Sequence, residues 1–306
     1  MATLFSHILV ILTLASGLVW AFDHFVLLPK RRMAVATAEA SNGAPLGDDA
    51  RHSMLREGAI AENCHGVFPV LFAVLIFRSF IFEPFQIPSG SMMPTLLVGD
   101  FILVEKYAYG LKDPVLRSEL VATGSPERGD IVVFKYPKDE RVDYIKRVVG
   151  LPGDRIVYRN KTLYIQPKCD RGQSPCPQLQ EVAQASVNQG EFSQGKLPLT
   201  RLKEQLGEVT HDLLVNPSRR EPVGYYHSQP GTRVGEWIVP EGKYFAMGDN
   251  RDNSTDSRFW GFVDQSQLVG RATFIWMSFE FERDADSVLP SWVPTGVRLD
   301  RLGGIE

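Results

Sequence analysis

Two apolar blocks near the N-terminus limit what this chain can fold into more than any other feature. The first runs from Ala2 to Leu28 and is interrupted only by His7, Asp23 and His24. A bilayer-spanning helix needs roughly 20 mostly apolar residues, so this block is long enough to cross a membrane. It has no basic run ahead of it and no small-residue cleavage site behind it, which favours an anchor over a removable leader. The second block, Val67 to Phe82, is shorter and carries Arg78, whose head could reach an interface while its stem stays in the apolar layer. A buried core helix is the alternative reading of that block. Lys30, Arg31, Arg32, Arg51 and Arg56 lie between the two. Short basic loops stay in the cytoplasm, so both chain ends are expected on the far side of the membrane. The expected organisation is therefore a first span over residues 1–28, a cytoplasmic loop over 29–66, a second span over 67–82 and an extracytoplasmic domain over 83–306. Within the loop, Ala34 to Glu62 lacks apolar periodicity and reads as a flexible linker.

Beyond Pro84 the pattern changes to short runs of β-branched and aromatic residues separated by Gly, Pro, Asn and Asp. The runs 101–105, 130–135, 143–149, 155–158, 162–166, 236–239, 244–247 and 272–279 have strand length and strand composition. They predict a mainly β fold: an all-β domain behind two N-terminal transmembrane helices, with a smaller, less regular β subdomain inserted at about 160–233. The net charge of −3 offers no broad basic surface, which argues against nucleic acid as a partner. Cys169 and Cys176 lie in a Gly/Pro/Ser-containing loop, where either a local disulfide or two free thiols are compatible with the spacing. Cys64 falls on the cytoplasmic side. No Cys or His spacing resembles a zinc site.

Three constellations could carry chemistry. Pro88-Ser89-Gly90-Ser91-Met92-Met93-Pro94 directly follows the second apolar block. Its glycine permits close backbone approach and its prolines restrict it, which suits a rigidly presented hydroxyl, although the same composition also describes a plain turn. A serine nucleophile needs a base, and histidine is scarce. His211 and His227 alone fall on the extracytoplasmic side, in or beside the polar insert, where solvated surface is their expected place. Lys146 interrupts a strand-like run and shares a face with Tyr144 and Val148. A lysine facing an apolar layer loses hydration, so its amine is deprotonated more easily; a surface lysine on an edge strand is the other reading. The third constellation, Gly248 to Arg258, is dense in Asp, Asn and Ser. It lacks the Gly and Glu of a calcium loop, so Asx-turns and an Asp256–Arg258 ion pair describe it better. Ser193-Gln194-Gly195-Lys196 matches S-x-x-K, but the companion S-D-N and K-T-G elements are missing.

Taken together, the segments 83–106, 128–137, 143–154, 248–263, 270–279 and 301–306 resemble the bacterial type I signal peptidases, a Ser/Lys-dyad serine protease family. The resemblance implies that Ser91 is the nucleophile and Lys146 its general base. It further implies that Ser89 donates to the oxyanion, that Ser254 orients Lys146, and that Asp256 and Arg258 support the site. Phe85, Ile87, Met92, Leu96, Ile102, Val133, Tyr144 and Ile145 match positions lining two shallow apolar pockets for small side chains, as in an Ala-x-Ala-like junction. A Cys169–Cys176 bridge is implied as well. The implied partners are the signal peptides of exported preproteins, the lipid bilayer and the protein translocation machinery; no cofactor and no metal is implied. The implied place is the bacterial inner membrane, with the catalytic domain periplasmic. Trp276, Phe279, Phe281 and Trp292 fit either an apolar rim at the membrane surface or core packing. Two rival readings are a self-cleaving Ser/Lys repressor-type protease, which would need a DNA-binding head, and an inactive membrane-tethered β scaffold.

Overall fold

The computed structural model describes residues 2–113, 119–169, 172–195, 197–281, 290 and 293–305. The chain divides into a helical unit up to Ile81 and a β unit from Phe82 onward. Trp292, Lys196 and Glu306, each part of a sequence expectation above, lie outside the described residues.

In the helical unit, helix Ala2–Phe22 passes through one π-helical turn, Asp23–Leu27, into helix Leu28–Asn42. Asp23, the charge that breaks the first apolar block, is neutralised by Arg31 two turns on. The second long helix, Ala59–Ile76, likewise ends in a π turn, Phe77–Ile81. Both assemblies, His7–Asn42 with 36 residues and Ala59–Ile81 with 23, are long and apolar enough to cross a membrane. Gly17 lets them approach, since a Cβ there would lie 2.7 Å from the Phe68 ring. The Trp20 ring stacks on both His24 and Phe68, with centroids 5.5 Å away in each case. Leu14, Leu18 and Val70 remain exposed on the outer faces.

The expectation of a linker over Ala34 to Glu62 is corrected. Helix runs through to Asn42, stops where Gly43 adopts φ +64°, and resumes over Asp48–Leu55 and from Ala59. The segment Met33 to Ala40 holds four alanines, and alanine has the highest intrinsic helix propensity, so no apolar periodicity was needed.

The β unit is built on one antiparallel sheet whose strands lie in the order Phe82–Gln86, Asp100–Glu105, Leu268–Glu280, Ile131–Tyr136, Asp139–Gly150, Lys243–Met247 and Val263–Asp264. Every residue from Ile131 to Lys135 is buried, as expected of a central strand covered on both faces. Alternation divides its side chains. Ile131 and Val133 join Ile87, Met92, Leu96, Ile102, Val104 and Val269, while Val132 and Phe134 join Val148, Tyr244, Trp260 and Val263. Lys146 pairs with Val132 across the sheet and therefore emerges on the second of these faces. A short helix over Ser257–Trp260 and the edge strand Phe82–Gln86 have no counterpart among the expected runs. Cys169 and Cys176 are joined by a disulfide, with Cα atoms 5.2 Å apart, and Cys64 is free. Trp276 is exposed and meets Phe101 edge-on.

The insert is more regular than its composition suggested. Gln184–Gln194, Leu197–Leu206 and Val209–Val215 form a three-stranded antiparallel sheet. The first strand is largely exposed on both faces, which removed the apolar alternation from the sequence. The other two bury Leu206, Leu213 and Leu214, and Leu206 packs into a cluster with Val149, Ile156, Trp237 and Phe245. The insert thus shares a core with the strands that precede and follow it. Leu206→Ala is expected to cost about 2–5 kcal/mol of unfolding free energy. Guanidinium unfolding followed by tryptophan fluorescence measures this, because Trp237 sits in the same cluster; an unchanged midpoint would mean that the insert folds apart.

Candidate active site

Ser91 sits in a single 3-10 turn, Gly90–Met92, and is buried. Three things fix the turn. Met92 and Leu96 are fully buried anchors on its C-terminal side. Asn250 clamps it from the other side, its backbone N–H donating to Ser91 O at 3.0 Å and its side-chain Nδ2 to Gly90 O at 3.0 Å. Downstream, Asp100 accepts from Leu97 N at 2.8 Å, and Arg301 of the C-terminal segment bridges Asp100 Oδ2 at 2.7 Å and Thr95 O at 2.8 Å. Ser89, one residue before the turn, is extended and exposed.

Lys146 reaches this hydroxyl from the sheet. Its Nζ donates to Ser91 Oγ at 2.7 Å and to Ile145 O at 2.8 Å, and lies 5.4 Å from the centre of the Tyr144 ring. Only 4% of the residue is exposed. Burial lowers its pKa to about 8; Asp256 and Asp249 oppose that fall and Arg258 adds to it. A drop of that size corresponds to roughly 3 kcal/mol between the charged and neutral forms.

The loop Gly248 to Arg258 forms the floor, and buried ion pairs hold it from below. Burial alone would raise the Asp256 carboxyl, but Arg258 holds it below the usual carboxylate range through two contacts of 2.8 Å. Gly248 N also donates to Asp256, at 3.1 Å. Asp249 is fastened in the same way by Arg147, the neighbour of Lys146, at 2.9 and 2.8 Å, and by Thr95 Oγ1 at 2.6 Å. Arg251 pairs with Glu204 of the insert sheet. Gly248 must be a glycine, because a Cβ there would lie 2.3 Å from Ser254 Oγ and 2.5 Å from Ser91 O.

Most of the residues expected at the site converge on it, with two departures. Ser254 is buried beside Gly248, where it helps hold the Asp256 carboxyl below the usual carboxylate range, and it makes no hydrogen bond to Lys146. Of the eight apolar residues, Phe85, Ile87, Met92, Leu96, Ile102, Val133 and Ile145 form one cluster, whereas Tyr144 packs on the other face against Phe134 and Tyr136. A third expectation, that His211 is solvated surface, is corrected. It is 4% exposed and lies between Glu204 at 3.4 Å and Asp249 at 3.7 Å. Burial, assisted by Arg147 and Arg251, lowers its pKa to about 4 despite the two carboxylates, so it is neutral at pH 7. Asp249, Arg147, Asn250, Glu204 and Arg301 were not singled out from the sequence. The density of polar residues around Asp249 was the available signal. Among the described residues, no group of three or more His, Cys, Asp or Glu is placed to hold a metal ion.

A serine hydroxyl bonded to a lysine amine that is partly neutral near pH 7 can carry out nucleophilic acyl transfer, so the site describes a hydrolase of the Ser/Lys type on a β scaffold. Comparison with known proteins narrows the class. A family model described as "Signal peptidase, peptidase S26" matches residues 60–277. Signal peptidase I of Haemophilus influenzae is 41% identical over 324 residues, covering 97% of this chain and 90% of that protein. Signal peptidase I of Pseudomonas aeruginosa is 39% identical over 305 residues, covering 96% and 98%. A crystal structure of a signal peptidase I from Enterococcus faecalis is 27% identical and covers 48% of this chain and 96% of that one at a TM-score of 0.26, so the fold rests on the strands described above. The chain belongs to the signal peptidase family, peptidase S26, a family of serine endopeptidases.

Removing one member of a buried ion pair strands the other. Arg147→Met and Asp249→Asn should each cost about 3–5 kcal/mol of stability, and the double variant less than their sum. Chemical denaturation of the four proteins checks this; additive costs would mean that the two groups do not act as a pair.

Proposed function

We propose that this membrane-associated serine endopeptidase removes signal peptides from preproteins with Ser91 as nucleophile and Lys146 as general base. The observation that carries the assignment is the 2.7 Å bond between Lys146 Nζ and Ser91 Oγ in a buried setting. Neutral Lys146 takes the Ser91 proton as Oγ adds to the scissile carbonyl. The ammonium then protonates the leaving amine, leaving an acyl-enzyme on Ser91. Lys146, neutral again, accepts a proton from the water that hydrolyses the ester. The developing oxyanion is assigned to the Ser91 backbone N–H and the exposed Ser89 hydroxyl, since the leading N–H groups of a helical turn lack intrahelical partners. Ser254, buried beside Gly248, is assigned to accept a hydrogen bond from the Lys146 ammonium once the amine is charged. Asp256 and Arg258 hold the loop that carries it.

The apolar cluster beside the turn supports a preference for small residues. Met92, Leu96 and Ile102 are fully buried and offer no depth, while Phe85 and Ile145 are only half-buried, so the wall is apolar and shallow. An Ala-x-Ala-like stretch lying as an extended strand suits such a wall. Tyr144, on the other face, is assigned to the Lys146 side of the site. The two long helices with exposed apolar faces support anchoring in the lipid bilayer, where a helix satisfies its own backbone groups. The basic residues between them support a cytoplasmic loop, and the disulfide supports an oxidising compartment for the β unit. We therefore place the catalytic unit on the periplasmic face of a bacterial inner membrane, where it meets preproteins leaving the translocation machinery.

Lys146→Met is expected to lower kcat on a preprotein by about 10²–10⁴-fold or more, and Ser91→Ala by at least as much, with both variants folded. Wild-type cleavage by either would overturn the dyad. Because the neutral amine is the active form and its pKa is lowered to about 8, kcat/KM should rise through pH 8 and level off above it. A profile flat from pH 6 to 10 would contradict the assignment. EDTA should leave the rate unchanged; a loss reversed by a divalent ion would reinstate a metal site.

A further inference from the structure

One lysine outside the dyad stands where backbone energetics favour a different residue. Asn160 and Lys161 form the turn of the hairpin Arg155–Arg159 and Thr162–Gln166, with φ of +51° and +61°. At such a turn the second position favours glycine, and any side chain with a Cβ is strained there. The lysine in that place ties the hairpin to the loop below Ser91 and to the segment that follows the insert sheet. Its Nζ donates to Asp252 Oδ2 at 2.8 Å and to Asn216 O, and its backbone N–H donates to Glu221.

Asp252 is the outer corner of the loop Gly248 to Arg258, and its carboxylate is nearly buried, 5% exposed. Two separate pieces of chain, the Lys161 hairpin turn and the turn Asn216 to Arg219, converge on that corner. Lys161 and the backbone N–H of Asn216, at 2.7 Å, hold the carboxylate, and Arg219 Nη1 donates to the Asp252 carbonyl at 2.6 Å. Two residues further on, Ser254 lies against Gly248, at the same spot that the Ser91 carbonyl approaches: a Cβ on Gly248 would meet Ser254 Oγ at 2.3 Å and Ser91 O at 2.5 Å. The inner part of the loop is fastened independently, through Asp249, Arg251 and Asp256. Among the described residues, the Lys161–Asp252 pair is the only ion pair made by the stretch Asp252 to Thr255.

We infer that Lys161 is a positioning residue for the reaction: its ammonium, clamped on Asp252, keeps Ser254 seated over the dyad and keeps water away from the Lys146 amine. This rests on the reading of Ser91 and Lys146 as nucleophile and base. Lys161 acts through position rather than through its own charge. The charged groups that act on Lys146 are Asp256, Asp249 and Arg258, all of which keep their partners when Lys161 is changed. The Ser91 hydroxyl and the Tyr144 ring complete its surroundings.

The test uses the full-length protein cleaving a preprotein, with Lys161→Met, Lys161→Arg and Asp252→Asn. Methionine and arginine both carry a Cβ into the same strained backbone, so the difference between them reports on the head group alone. Lys161→Met is expected to lower kcat about 10- to 100-fold at unchanged KM, the scale of a displaced supporting group. Its pH–rate inflection should move upward from near that of the wild type toward the ordinary lysine value of about 10.4, as water reaches Lys146. Lys161→Arg, which can donate to both partners, restores kcat and the inflection. Asp252→Asn reproduces Lys161→Met, and combining the two adds no further loss. If Lys161→Met does not fold, Asp252→Asn alone decides through the same inflection. Wild-type kcat in Lys161→Met, or a loss of kcat with an unmoved inflection, would overturn the assignment. Failure of the wild-type protein to cleave at all would instead overturn the reading on which it rests.

Discussion

The whole site depends on keeping one lysine amine out of water. A hydrated ammonium cannot take a proton, and the hydrogen bond from Lys146 to Ser91 becomes useful only when burial makes the neutral amine accessible near neutral pH. That burial costs roughly 3 kcal/mol, a sizeable share of the 5–15 kcal/mol that separates a folded domain from its unfolded chain. The surrounding strands recover it. Val132, Phe134 and Val148 cover the face from which Lys146 rises, and the Ser91 turn closes over its end.

The carboxylates near the amine work against this arrangement, since each favours the ammonium. Asp249 and Asp256 both pull the Lys146 pKa upward. Their partners contain that effect: Arg147 engages Asp249, and Arg258 engages both oxygens of Asp256. The same pairs pin the loop under the turn. Buried ion pairs of this kind contribute little net stability but strongly penalise any arrangement that separates them, so they define a geometry more than they strengthen a fold. Leu206, Glu204 and His211 show that the insert is part of this construction, because they place its sheet against the core and beneath Asp249.

Much of the fold was legible because it follows from alternation and turn chemistry. The expected strands fall within a few residues of those found; Asp139–Gly150 and Leu268–Glu280 depart most, the former where a hairpin extends beyond its apolar half. The helix over Leu28–Asn42 was missed because alanine-rich helix carries no periodic signal. The dyad was legible only jointly: the serine turn and the strand lysine are each ambiguous locally, and their separation of 55 positions is closed by tertiary structure. Glu204, His211 and Arg147 were not legible as site residues, since a charged or polar side chain looks solvated until its partner, 47 or 102 positions away, is in place. Ser254 was expected to bond Lys146 and instead lies against Gly248 and the Asp256 carboxylate, a difference of side-chain placement that no sequence pattern encodes.

The most direct measurement is the titration of Lys146 itself in the intact protein, by selective isotopic labelling of lysine side chains and assignment of its signal with the Lys146→Met variant. The account predicts an inflection near pH 8, set by burial. An inflection near 10.4, the value of a solvated lysine, would mean that the amine is charged wherever the enzyme works, and would contradict its role as the base.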